Sequence, residues 1–316
     1  MYPRHNGRMP AIGAFLLLSL CAILPLAAQD SAPATFEAGT TQVRLDVLVS
    51  NGKGPIPGLK AEDFLVTDNG QPVTLTYAGT GEEPLNILLL LDVSGSMKGY
   101  LDQIAKRARA ILDLLRDTDK VGVMVFSKDT DYYRPFTSDK DRAANAIDQA
   151  LLPSQLPAGT SINAALLDAA DAFAEAKSLT GYRSVFILTD NKSLNYRAPD
   201  DAVLEKLYAQ DAVLNAIVTK NAEPPKKIAV VNTDFSFADV FKLSAQTGGE
   251  VLRTDRADEA FAQLLRNNRQ RYLLTYRAPA GSAPNTFHSV KVDLSKAAQK
   301  RHGKALIRAR AGYFTR

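Results

Sequence analysis

The spacing of apolar positions changes twice along this chain. Between Val43 and Val49 they alternate, with Val43, Leu45, Val47 and Val49 separated by Arg44, Asp46 and Leu48. A period of two predicts a half-buried strand, and Asn51-Gly52 is a pair that turns hairpins. Phe64–Thr67 and Pro72–Tyr77 flank Asp68-Asn69-Gly70, a second hairpin signal. Thr40–Ala78 therefore reads as a small antiparallel unit, too short to bury a good core alone.

From Leu85 the pattern switches. Leu85–Leu91 is almost wholly apolar and ends in Asp92. It is too short to span a membrane and has the length of a strand buried on both faces. Leu101, Ile104, Ala108, Ile111 and Leu115 then recur at helical spacing. Val121–Phe126, Ser184–Thr189, Ala212–Val218 and Val251–Thr254 read as further strands, and Tyr132–Phe136 as an edge strand because it holds Pro135. Helical stripes lie between them, the strongest running from Ile162 to Ala176. Strands alternating with helices predict a doubly wound, mostly parallel Rossmann-like α/β sheet. Thr247-Gly248-Gly249 stops the helix before the last of these strands.

Alternation returns at Tyr272–Tyr276, Val290–Leu294 and Leu306–Ala311. The expectation is that these strands pair with the N-terminal unit, so that the α/β domain is inserted in a smaller antiparallel β domain. The divisions are 40–80 for the first β part, 84–267 for the α/β domain and 268–316 for the second β part.

The beginning of the chain has a different character. Arg4 and Arg8 precede an apolar stretch, Ile12–Leu26, and Leu26-Ala27-Ala28 supplies small residues before Gln29. This is the form of a secretory signal over 1–28, followed by a flexible N-terminus over 29–39. A membrane anchor is less consistent with Pro25, and a lipoprotein cleavage site at Cys21 with the bulk of Leu20. Cleavage would leave a secreted or periplasmic protein without cysteine, hence without disulfides, a thiol nucleophile or a cysteine metal site. It would also leave 36 bases against 34 acids. That near balance gives no sign of nucleic-acid binding. After Asp293 the chain holds Lys296, Lys300, Arg301, Lys304, Arg308, Arg310 and Arg316 but no acid. The segment reads as a solvated strand face with a polar loop; the functional alternative is weak contact with an anionic surface.

Candidate chemistry collects at the expected ends of elements. Asp92, Ser94 and Ser96 follow the first sheet strand, Thr160 opens a helix, and Asp190 ends the third buried strand. If the first and third buried strands are neighbours, Asp92 and Asp190 face one crevice. Such an all-oxygen set suits Mg²⁺, and Mn²⁺ would fit the same ligands. Taken singly, the same residues have plainer uses: Ser94, Ser96 and Thr160 as helix caps, and Asp190 as a turn residue.

Asp92-x-Ser94-x-Ser96, Gly159-Thr160 and Thr189-Asp190 in alternating α/β context resemble a von Willebrand factor type A domain, over about Leu85–Arg266. The resemblance implies a metal-ion-dependent adhesion site of the form D-x-S-x-S…T…D. Ser94, Ser96 and Thr160 would touch the metal, and Asp92 and Asp190 would hold it directly or through water. Asn191 and Ala158 depart from the glycines common at those positions. The implied function is an envelope or secreted binding protein whose metal takes a carboxylate from a protein partner. A metal-free scaffold is the alternative. A haloacid-dehalogenase-type phosphatase needs a second Asp where this chain has Ser94. A serine nucleophile needs a base, and His288 and His302 both lie in the C-terminal β region, where they read as surface residues. The expectation is therefore a non-catalytic protein; Thr130–Pro135 and Lys192–Arg197, which carry Tyr132, Tyr133, Tyr196 and Arg197, read as ordinary surface loops, with a rim that sets specificity as the functional alternative.

Overall fold

A computed structural model describes residues 42–315 other than 82, 151, 153–155, 227–231 and 233. The expected signal and N-terminal segment, 1–39, and the side chains of Tyr132 and Tyr133 lie outside the described residues. In chain order the first strands are β1 (Gln42–Asn51), β2 (Gly54–Pro55), β3 (Phe64–Asp68), β4 (Gln71–Val73) and β5 (Leu75–Thr80). Then follow β6 (Leu85–Asp92), α1 (Lys98–Leu112), β7 (Lys120–Phe126), β8 (Thr130–Thr137), α2 (Lys140–Gln149), α3 (Ile162–Glu175) and β9 (Tyr182–Thr189). Next come β10 (Leu194–Tyr196), α4 (Asp200–Ala209), β11 (Ala212–Thr219), β12 (Phe235–Phe237), α5 (Val240–Thr247), β13 (Val251–Thr254) and α6 (Ala257–Arg269). The chain closes with β14 (Tyr272–Arg277), β15 (Phe287–Leu294), α7 (Lys296–His302), β16 (Leu306–Arg308) and β17 (Gly312–Phe314).

Six strands form the α/β sheet in the order β13-β11-β9-β6-β7-β8. All pairs are parallel except β7 with the edge strand β8. The apolar run of β6 is explained by what covers it. Leu85, Ile87, Leu89 and Leu91 pack on one face with Ile104 and Ile111 of α1, Ile147 of α2 and Phe261 and Leu264 of α6. Leu88 and Leu90 point the other way, among Leu166 and Phe173 of α3, Leu207 of α4 and Leu243 of α5. A strand with helices on both sides has no solvent face to mark with polar residues.

The remaining strands build two antiparallel sheets, β16-β1-β14-β5 with β2 beside β1, and β17-β15-β3-β4. Val43, Leu45, Phe64, Val66, Tyr272, Leu274, Val290 and Val292 belong to their shared core. Both ends of the described chain meet in these sheets, since β1 pairs with β14 and β16, and β3 with β15. Thr40–Arg316 packs as one compact unit. Arg271 contributes to that unity: its guanidinium is buried and donates through Nη2 to the carbonyls of Asp46 and Gly248, both at 2.7 Å.

Several local expectations change. β1 is buried on both faces, Asp46 and Leu48 included, because its second face is covered as well. Pro72–Tyr77 divides between the two sheets as β4 and β5, and the strand expected at Leu306–Ala311 ends at Arg308 before the chain crosses sheets as β17. α7 replaces the expected polar loop; Ser295 caps it by accepting from the Ala298 N–H, and Ala298 is its one buried residue. One buried position is too little to make a readable stripe. His288 is buried, not at the surface. Its Nδ1 lies 2.7 Å from Asp68 Oδ1, while the hydroxyls of Tyr276 and Tyr313 donate to Asp68 Oδ2 at 2.8 Å.

The glycine pair after α5 marks where the layers touch. Gly248 caps the helix at φ 81°, and a Cβ there would meet the Ala309 carbonyl carbon at 2.5 Å. At Gly249 a Cβ would lie 1.8 Å from the Leu214 carbonyl oxygen. Gly249→Ala is therefore expected to cost about 2–3 kcal/mol through backbone displacement. Urea denaturation followed by circular dichroism measures this; a loss below about 0.5 kcal/mol would show that β11 yields freely.

Candidate metal centre

The crevice arises from strand order. From β6 the chain winds through β7 to the edge strand β8, whereas β9, β11 and β13 extend in the opposite direction. β6 and β9 are neighbours across this reversal, with Leu91 opposite Leu188. Their carboxyl ends open a crevice of the kind in which doubly wound sheets bind ligands.

Asp92 ends β6 and is fully buried. Its Oδ2 accepts from the Thr189 hydroxyl at 2.8 Å, and its Oδ1 from the Ser94 N–H at 3.0 Å. A 3-10 turn, Gly95–Met97, follows Ser94 and leads into α1. This turn brings Ser94 Oγ and Ser96 Oγ within 3.2 Å of each other. Ser96 Oγ then donates to Asp190 Oδ2 at 3.1 Å. Asp190, itself buried, lies one residue beyond β9, and its other oxygen accepts from the Lys192 N–H at 3.0 Å. Asp92, Ser94, Ser96 and Asp190 are thus joined in one run of hydrogen bonds.

Thr160 reaches this group by a different route. Its carbonyl accepts from Ser193 Oγ at 2.7 Å, so its loop is tied to the one that follows Asp190. Ser161 N–H donates to the Ser127 carbonyl beyond β7, and Ser127 Oγ donates to the Pro157 carbonyl. Among the described residues, the Thr160 hydroxyl makes no hydrogen bond to the other four.

Burial pushes the Asp92 carboxyl above the usual carboxylate range; hydrogen bonds from Ser94 and Thr189 oppose this, and the nearby Asp190 charge adds to it. The nearest cation to Asp190 is the exposed Lys192, whose Nζ stands 3.8 Å from Oδ2. A deep carboxylate beside a second one, surrounded by hydroxyls, is an environment that a hard cation would relieve. Among the described residues no three His, Cys, Asp or Glu gather as a metal-binding group. The crevice itself offers two carboxylates and neutral hydroxyls, a donor set whose chemistry would suit a hard cation such as Mg²⁺.

Several supporting roles were invisible to periodicity. Thr189 orients Asp92, and Ser193 and Asn195 hold the following loop to the start of α3: Ile162 N–H donates to Ser193 Oγ and Asn163 N–H to Asn195 Oδ1. Asn191 is the informative departure. Its φ of 60° is left-handed, a conformation that favours glycine and tolerates asparagine. Its side chain donates to the Glu223 carbonyl at 3.0 Å and accepts from the Val240 N–H at 3.1 Å. The asparagine thus keeps the backbone turn and adds two anchors. On the other loop, Ala158 is exposed while Gly159 makes the turn at φ 129°.

Residues 87–193 match the family model of the von Willebrand factor type A domain. Over this stretch, about a third of the chain, it is similar to that family. The matched stretch runs from β6 through Ser193 and contains Asp92, Ser94, Ser96, Thr160 and Asp190. No curated protein matches the chain. Among solved structures, it is similar to an aerotolerance-related membrane protein from Bacteroides fragilis, at 20% identity over 59% of this chain and 99% of that one, with a TM-score of 0.44. A von Willebrand factor type A protein from Catenulispora acidiphila aligns at 12% identity over 86% and 73% of the two chains, with a TM-score of 0.47. The proximal thread matrix protein 1 of mussel byssus, in a form with a zinc-occupied MIDAS motif, aligns at 16% identity over 65% and 50%, with a TM-score of 0.46.

Asn191 lends itself to a direct test. Asn191→Gly is expected to lose about 1–2 kcal/mol with the side-chain anchors, and Asn191→Ala about 1 kcal/mol more because alanine resists positive φ. Paired denaturant melts measure the difference; equal stability of the two variants would contradict the backbone part of this account.

Proposed function

We propose that this protein binds a partner through a divalent cation held by Asp92, Ser94, Ser96, Thr160 and Asp190. Von Willebrand factor type A domains serve protein–protein interaction or adhesion. The observation that carries the reading is the convergence of two carboxylates and two serine hydroxyls at the carboxyl ends of β6 and β9. Mg²⁺ is the favoured ion and Mn²⁺ fits the same oxygens. When bound, the cation supplies a positive charge with a coordination position for an outside carboxylate oxygen. The chain's own part is to leave that charge under-neutralised, because three of the five side chains are neutral. Thr189 holds Asp92 in place, and Ser193 fixes the loop that carries Thr160.

The reading is non-catalytic. His288 is committed to Asp68 within the antiparallel sheets, and His302 lies on α7. Secretion or periplasmic residence after cleavage of 1–28 belongs to the same proposal, as does the treatment of 40–80 and 268–316 as one β domain carrying 84–267. Among the described residues no helix is long and apolar enough to cross a membrane. Two of the C-terminal basic residues have acidic partners, Arg301 with Asp63 and Arg310 with Asp211, which favours a solvated face over an anionic-surface site.

A metal-free scaffold is the second reading, supported by the Ser96–Asp190 and Thr189–Asp92 hydrogen bonds that satisfy the crevice internally. Titration of Mg²⁺ and Mn²⁺ into the chelator-treated protein, followed by calorimetry, separates the two. Saturable uptake by the wild type that is lost in Asp92→Ala is the expected result. A wild type that takes up neither ion would leave the scaffold.

A further inference from the structure

We propose that the β10–β12 ribbon is the specificity element of this binding surface, and that the partner is a peptide segment bearing a large apolar side chain within about four residues of its acidic one. The inference rests on the metal-dependent reading above. The two strands pair with Leu194 opposite Phe237, Asn195 opposite Ser236 and Tyr196 opposite Phe235. Alternation puts Leu194, Tyr196, Phe235 and Phe237 on one face and Asn195 on the other. The inner face is fastened: Asn195 is buried, and its Oδ1 accepts from Asn163 N–H at 3.1 Å and from Ser193 Oγ at 3.2 Å.

Among the described residues, the outer face is uncovered. Leu194 is 49% exposed, Tyr196 54% and Phe237 42%. Phe235 is half-buried with its ring 5.1 Å from that of Tyr196, which stiffens the patch. Among the described residues, no other pair of joined strands holds three large apolar side chains this exposed. Apolar surface that is held rigid and left in water marks an interaction site rather than a packing accident.

Position and charge identify the occupant. The ribbon begins four residues after Asp190, so at most roughly 14 Å of chain separates their Cα atoms. An extended peptide covers that span in about four residues. Ser193 Oγ donates both to the Thr160 carbonyl and to Asn195, so one hydroxyl fastens the crevice loop and the ribbon together. Lys192, with 82% of its side chain exposed, stands between Asp190 and the ribbon. Arg197 follows it, 5.1 Å over the Tyr196 ring and 3.3 Å from Asp234. Cations at both ends of an apolar strip complement an acidic segment with an apolar neighbour.

The test uses the full chain and a displayed library of random twelve-residue peptides, captured in Mg²⁺ and eluted with chelator. Enriched peptides are expected to carry Asp or Glu with Phe, Tyr, Leu, Ile or Met within about four positions. One enriched peptide, and its copy with the apolar residue changed to Ser, are then titrated by fluorescence anisotropy. The combined variant Leu194→Ser, Tyr196→Ser, Phe237→Ser is expected to weaken the enriched peptide at least about tenfold and the Ser copy less than about twofold. An unchanged melting temperature would show that the variant is folded. Acidic peptides with no apolar preference, or the same preference in the variant, would overturn the proposal while leaving the metal reading intact. Magnesium uptake with no chelator-eluted peptide would do the same. Absence of magnesium uptake would remove both. A wild type that sediments as a dimer, and a variant as a monomer, would assign the ribbon to self-association instead.

Discussion

Two strands buried on both faces, β6 and β9, run side by side in parallel register, and the position of everything in the crevice follows from that pairing. Leu91 opposite Leu188 brings the last residue of one strand beside the end of the other, so the Thr189 hydroxyl reaches the Asp92 carboxylate. A slip of one residue would turn every side chain of β6 to the opposite helical layer. Register is therefore enforced by the two helix-covered cores, and the site inherits its geometry from hydrophobic packing.

That inheritance accounts for which features could be read from the chain. Leu85–Leu91 announced itself because an apolar run of strand length admits few other structures, and its terminal acid indicated where chemistry could collect. The α/β alternation was legible for the same reason. Less visible were features decided by distant surfaces. Asp46 and Leu48 look like outward positions of an alternating strand, yet β1 is covered on its second face. His288 looked like a surface residue because nothing local foretells the Asp68 and Tyr313 oxygens beside its ring. At the crevice, Ser193 and Asn195 carried no periodic signal, and the place of Thr189 at a strand end did not disclose its bond to Asp92; their importance lies in hydrogen bonds between segments far apart in sequence.

Asn191 shows how a departure from a family pattern can conserve geometry. The left-handed turn after Asp190 needs a residue that accepts positive φ, and asparagine does so at modest cost. In exchange its amide ties the crevice loop to the Glu223 carbonyl and to the first N–H of α5. The loops around the crevice are consequently braced from three directions: by Asn191, by Ser193 against Thr160, and by Ser127 against Pro157. A binding surface braced in this way loses little conformational freedom when it engages a partner.

The passage from α6 to β14 has a mechanical meaning. Arg269 ends the helix and Tyr272 begins the strand, with Gln270 and Arg271 between them. Arg271 is itself clamped to Asp46 and Gly248. There is no slack in this junction to uncoil under tension. A pull on the antiparallel sheets would be delivered to α6, which packs in the same core as Leu91, the residue before Asp92. Were the β-sheets anchored to an envelope and the crevice holding a partner, load would pass through folded structure instead of being absorbed by a tether.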